Sequence, residues 1–179
     1  MQSWRPAGRV AGLGAVRGMS TRMKFFTPQW WAREGESTDP VVADYQRYID
    51  AIRSRLTPAL RSLHDEVSLH DSKVRRFTVD IPMQTVAITL HGFTDPWSPE
   101  GQTGRWFDLL YEGVTSVEST NEGEWVSEAF DNSDLGYCEI ELLPDKHWEH
   151  RMLFASGIEL TIRFRDLRLH VEPLSQTAT

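Results

Sequence analysis

The tetrapeptide Ser-Leu-His-Asp occurs twice in this chain, at Ser62–Asp65 and again at Ser68–Asp71, bringing two imidazoles and two carboxylates close together in sequence. His64, Asp65, His70 and Asp71 are side-chain types that hold zinc or manganese, so one reading is a small metal-dependent hydrolase that activates water at this spot. The spacing argues for something plainer. Same-face neighbours on a helix lie three or four residues apart, and a repeat of six is neither, so the first copy should close a helix and the second should open a strand. At such a corner an aspartate accepts hydrogen bonds from stray backbone N–H groups, and a half-buried histidine donates to a carbonyl. Zinc also wants further ligands. His91 falls on the outward face of a strand, and His147 and His150 point to opposite sides of another. The four residues are therefore expected to be structural, with no metal and no cofactor, and the metal corner stands as the alternative.

Two other carboxylate patterns invite chemistry. Glu139 and Glu141 share one face of a strand at a spacing of roughly 7 Å, which could suit paired carboxylates in glycoside hydrolysis, although alternating glutamates are the ordinary dress of a solvated strand. Asp131 to Gly136 begins like a calcium loop, but its twelfth position is Leu142 where a bidentate glutamate is needed. Cys138 alternates with Ile140 and Leu142 and reads as a buried filler rather than a nucleophile. The sequence holds no phosphate-binding glycine loop, Gly-x-Ser-x-Gly, His-Glu-x-x-His or Cys-x-x-Cys, so the balance of motifs points away from an enzyme.

A binding surface has its own candidate. Between Glu118 and Asp134 there is no Lys or Arg, and Glu122, Glu124 and Glu128 surround Trp125 and Phe130. Acidic steering around two aromatic anchors suits a basic protein partner. A solvated loop has the same composition.

The elements that position these residues can be read in order. Thr27-Pro28, Asp39-Pro40 and Thr57-Pro58 each combine an N-cap residue with proline at the first helical position. The first opens a short turn carrying Trp30 and Trp31. The second opens the longest helix, with Val41, Tyr45, Tyr48, Ile49, Ile52 and Leu56 on one stripe to about Arg55, and the third opens a short helix with Leu60, Leu63 and Val67 inward. After Asp71 the apolar period changes to two. Phe77, Val79 and Ile81 alternate, then Val86, Ile88 and Leu90, and a loop at Pro82–Thr85 would pair Ile81 with Val86, Val79 with Ile88 and Phe77 with Leu90. A third strand carries Phe107, Leu109 and Tyr111 beyond a loop containing Trp97. Trp148 to His170 reads as a hairpin in which Met152 pairs with Leu160, His150 with Ile162 and Trp148 with Phe164. Glu149 then lies opposite Arg163 on the outer face, and a bulge falls near Arg165-Asp166. The fold expected is α+β: N-terminal helices packed on a largely antiparallel β-sheet meander.

With 179 residues, a net charge of −7 and a single cysteine, the chain suits one domain in a reducing, cytoplasmic setting. No apolar run approaches the ~18 residues of a membrane span, and the acidic balance argues against nucleic acid. Residues 1–22 are Gly- and Arg-rich and read as a disordered or mis-assigned extension ahead of a natural start at Met23, with a targeting leader as the competing reading. The domain is expected over 23–173, with a disordered tail at 174–179.

The opening Met23-Lys24-Phe25-Phe26-Thr27-Pro28-Gln29-Trp30-Trp31, the Leu69-His70-Asp71-Ser72-Lys73-Val74 start of the sheet and the ending Leu153-Phe154-Ala155-Ser156-Gly157-Ile158-Glu159 with Ile162-Arg163-Phe164 resemble a family of short uncharacterised bacterial proteins. The Leu-His-Asp element is also similar to that of immunity proteins of polymorphic toxin systems. The first resemblance implies a start at Met23 and an α+β fold; the second implies a non-catalytic module that binds a protein. That module is the leading functional expectation, and the small hydrolase at the His64 to Asp71 corner is the alternative.

Overall fold

The computed structural model describes residues 22–33, 40–93, 104–121 and 134–173. The expected extensions at 1–22 (save Arg22) and 174–179, the Trp97 loop and the segment with Glu122, Glu124, Trp125, Glu128 and Phe130 lie outside the described residues.

The helices start where proline and a capping hydroxyl coincide. In α1 (Pro28–Trp31) the Thr27 hydroxyl accepts the Trp30 N–H at 3.2 Å, and in α3 (Pro58–Asp65) Thr57 does the same for Leu60 at 3.4 Å. The longest helix, α2 (Pro40–Ile52), buries Tyr45 and Ile49 and tightens into a 3-10 turn over Arg53–Arg55. The first Ser-Leu-His-Asp closes α3, and the second leads into β1 (Ser72–Asp80). The corner read from the sequence is present.

Strand β1 pairs with β2 (Thr85–Phe93) and β2 with β3 (Gly104–Glu112), as one antiparallel meander. A second meander joins β5 (Asp134–Leu142), β6 (Trp148–Phe154) and β7 (Ile158–Phe164). The remaining strands are exchanged: β4 (Ser116–Asn121), which follows the first meander, pairs with β7, and β8 (Asp166–Pro173), which follows the second, pairs with β3. Among the described residues, eight strands form one antiparallel sheet in the order β4-β7-β6-β5-β1-β2-β3-β8. Mostly sheet, with a few helices ahead of it, the fold departs from a simple meander through these exchanged edges.

The exchange bends the sheet onto itself. Strand β3 runs into β4 through Gly113, Val114 and Thr115, and β7 runs into β8 through Arg165 alone. The corners are stitched by Thr115 N–H to Arg163 O at 2.9 Å and Arg165 N–H to Glu112 O at 3.0 Å. Each pair acts as one long bent strand, and the bent strands remain antiparallel partners across the bend. Gly113 takes φ +61°, and a Cβ there would lie 3.0 Å from the Arg165 side chain, so this tight corner needs glycine. The inner faces of the two meanders then meet in a core of Val86, Ile88, Leu90, Phe107, Leu109, Tyr111, Met152, Ile162 and Phe164, each at most 1% exposed. The seam between β5 and β1 is narrow, only Leu135 with Ser72 and Asp134 with Lys73.

Two pairings differ from the sequence reading. Val79 faces Val86 and Phe77 faces Ile88, because the turn takes Ile81–Gln84 and leaves Ile81 out of the ladder; a bulge between Val74 and Arg76 restores Val74 opposite Leu90. The shift of two residues keeps every side chain on its expected face. The segment after β7 does not prolong the hairpin, since β8 leaves β6 and β7 at the expected Arg165 irregularity to reach β3. The β6–β7 register is as read, with Glu149 opposite Arg163.

Candidate functional site

The outer face of the second meander carries the most concentrated charge. Arg151, on β6, is 1% exposed and lies opposite Glu139 of β5 in the ladder. Its guanidinium reaches Glu139 at 3.3 Å, Glu141 at 2.5 Å and Glu149 at a short distance. Burial alone would lower the Arg151 pKa, but the Glu141 hydrogen bond and the charges of Glu141, Glu149 and Glu139 hold it above its ordinary value. Burial likewise works to raise the Glu141 carboxyl, yet hydrogen bonds from Lys24 and Arg151 hold it below the ordinary glutamate value.

The segment Met23–Phe26 lies over this face. Glu139 accepts backbone N–H groups from Lys24 at 2.7 Å, Phe25 at 2.9 Å and Phe26 at 3.4 Å, and Glu159 accepts that of Met23 at 2.9 Å. The solvated-strand reading of Glu139 and its neighbours is therefore corrected: Glu139 and Glu149 are 1% and 3% exposed. A glycosidase pair is also removed, since an acid and a base must be free to exchange protons with substrate and these carboxylates are saturated by a guanidinium and backbone donors. The network locks the segment ahead of α1 onto the sheet. The sequence signal for it was the facing pair Glu139 and Arg151, of opposite charge on adjacent strands.

The edge of β5 left open beyond its short pairing with β1 is covered by α2. The Tyr45 hydroxyl accepts the Ile140 N–H and the Tyr48 hydroxyl accepts the Leu142 N–H, both at 2.9 Å. Burial raises the pKa of each phenol. Inside the sheet, Tyr111 and His150 meet at 2.7 Å, and burial pushes the His150 pKa down to about 4. His150 is thus neutral at ordinary pH, and its Nδ1 shares a hydrogen bond with the tyrosine hydroxyl.

The Ser-Leu-His-Asp corner has no comparable convergence. His64 and His70 both line a cleft of about 220 Å³ with Tyr137 and Cys138. Asp65 is taken by the His64 ring at 2.8 Å and by Arg53 at 2.7 Å, hydrogen bonds that hold its carboxyl below the usual range. Asp71 lies 3.0 Å from the His70 ring. Burial pushes the Cys138 thiol up to about 12, which keeps it protonated and a poor ligand. Among the described residues no group of three or more His, Cys, Asp and Glu side chains is arranged to hold a metal ion. The expected role of Asp71 as an acceptor of backbone donors is also corrected. Asp71 turns the corner with φ +60°, and its own N–H donates to Leu135 O at 2.8 Å.

Among the described residues, the exposed large apolar side chains gather on the β1–β2 hairpin. Phe77 and Val79 point toward the inner side of the sheet, yet they are 41% and 46% exposed; Ile81 and Met83 in the turn reach 81% and 70%. The cause is the narrow β5–β1 seam, which leaves β1 beyond Lys73 without a described neighbour on that side. A cleft of about 320 Å³ opens there, walled by Val74, Phe77 and Ile88 on one side and Ser119, Ile158 and Leu160 on the other. A second cleft continues past Val79 and Ile81 to Val114–Val117. Their period-two spacing marks a face as apolar, and nothing in the described fold covers that face.

Glu118, the first residue of the acidic stretch, sits exposed in β4 rather than in a loop, and Asp134, its last, begins β5. Among the described residues no helix is long and apolar enough to cross a membrane. No protein-family model matches the chain, and no curated protein matches it.

Proposed function

We propose that this chain is a non-catalytic, cytoplasmic protein-binding module, of immunity type, that docks its partner in the cleft beside β1. The observation that carries the reading is the exposure of Phe77, Val79, Ile81 and Met83. Contiguous exposed apolar side chains are costly to leave in water and mark interaction surfaces. The occupant that fits is an extended partner segment. Phe77 and Val79 offer alternate side chains on one face of a strand whose pairing with β5 stops at Lys73, so a partner strand could add its backbone beside β1 and bury apolar side chains against Ile158 and Leu160. The partner is basic in this reading, on the sequence ground that Glu122, Glu124 and Glu128 stand around Trp125 and Phe130 just after β4.

The test places a photo-reactive residue at position 81 or, as control, at position 47, where Arg47 stands exposed on α2. In cells of the source organism, position 81 should give one discrete adduct that position 47 does not, and Phe77→Ser should abolish it. No adduct at position 81, or the same adducts from both positions, would overturn the reading.

A further inference from the structure

The buried network around Arg151 has more carboxylates than cations. Glu139, Glu149 and Glu159 are 1%, 3% and 4% exposed, and Glu141 is partly wet. Against these four stand Arg151, touching three of them, and Lys24, bound to Glu141. Glu159 has neither cation. Its hydrogen bond in the structure comes from the backbone nitrogen of Met23 at 2.9 Å, and Met23 is itself 4% exposed. A buried carboxylate facing one neutral amide is poorly compensated, since burial of a charge demands an opposite charge or several donors. The atom that meets Glu159 is the one that would be an ammonium group if the chain began at that residue.

We propose that the working protein begins at Met23, and that its free α-ammonium group is the third cation of this network, held by Glu159. An ammonium group brings three donors and a full charge to a position where an internal peptide brings one donor and none. The methionine side chain that a start codon supplies is also used, being buried as part of the hydrophobic core. The next residues then continue the same role, Lys24 pairing with Glu141 and the N–H groups of Lys24, Phe25 and Phe26 reaching Glu139. The amino terminus becomes a structural ligand of the sheet. Blocking it by acylation would remove the charge and crowd the carboxylate. This inference is independent of the docking surface on β1.

Two measurements on the protein made from its own gene, in its source organism and without an N-terminal tag, test it. Sequencing from the amino terminus should begin at Met23 with an unblocked amine; a chain beginning at Met1 or Met19, or a blocked Met23, would overturn it. Titration of the unmodified α-amino group by nitrogen-detected NMR of the isotopically labelled chain should give a pKa at least about one unit above the usual 7.7–8.0, returning to that range in Glu159→Gln. An ordinary α-amino pKa in the wild-type chain would overturn the ion pair even if the first residue is as expected.

Discussion

Replacing Arg151 with methionine should be among the most damaging single changes on the outer face of the sheet. The Arg151 side chain is 2% exposed, and the side chains of its partners Glu139 and Glu149 are 1% and 4% exposed, so solvent screens little of what is lost. Glu139 keeps its three backbone donors in the variant. Glu149, whose described partner is Arg151 alone, is left charged and buried. Removing one member of a buried ion pair costs about 3–5 kcal/mol, a large share of a total stability on the order of 5–15 kcal/mol. For a chain of this length that lowers Tm by roughly 6–20 °C. Urea denaturation and calorimetry at neutral pH measure it. The double variant Arg151→Met, Glu149→Gln should regain at least about 1 kcal/mol over the single one, because the orphaned charge is gone. A single-variant cost under about 1 kcal/mol, or a double variant no more stable than the single, would refute the assignment of a buried, mutually dependent network.

Stability should also respond to pH through His150. The unfolded imidazole binds a proton below about 6.5 while the folded one stays neutral until about 4, so the unfolded state holds more protons in that window. Stability therefore falls as pH drops from 6.5 toward 4, by on the order of 3 kcal/mol, and urea titrations at pH 7 and pH 5 should show a smaller drop for His150→Gln. Tyr45→Phe removes the acceptor of the Ile140 N–H and should cost about 1–2 kcal/mol, with faster amide exchange at Ile140 than at its neighbours. At the corner, Asp71→Gly should be tolerated better than Asp71→Ala by about 1 kcal/mol in chemical denaturation, because φ is +60° there.

Local chemistry explains which parts could be read from the chain. Capping hydroxyls and prolines act within a few residues, so Thr27-Pro28 and Thr57-Pro58 announced their helices directly. The period-two patterns of β2, β3 and β7 fixed faces, and the turn at Ala155–Gly157 fixed the β6–β7 register. What escaped was non-local. No sequence pattern said that β4 and β8 would change places, because that depends on corners at Gly113 and Arg165 that bring distant strands together. Glu139 and Arg151 alternate with apolar residues as a solvated strand does. Their burial is decided by Met23–Phe26, more than a hundred residues away in the chain. The exposed apolar run of β1 was likewise invisible, since periodicity marks a face as apolar without saying what lies against it.

The docking claim is tested most directly by the affinity of the purified partner, once identified by cross-linking at position 81, for the wild-type chain and for a variant carrying Phe77→Ser and Ile81→Asp. Two central apolar anchors worth about 1–2 kcal/mol each predict a loss of roughly a hundredfold, expressed mainly as faster dissociation. Far-ultraviolet circular dichroism should be unchanged, because both side chains are already exposed. Affinity within threefold of wild type, with the fold intact, would contradict the claim that this protein binds through the open face of β1.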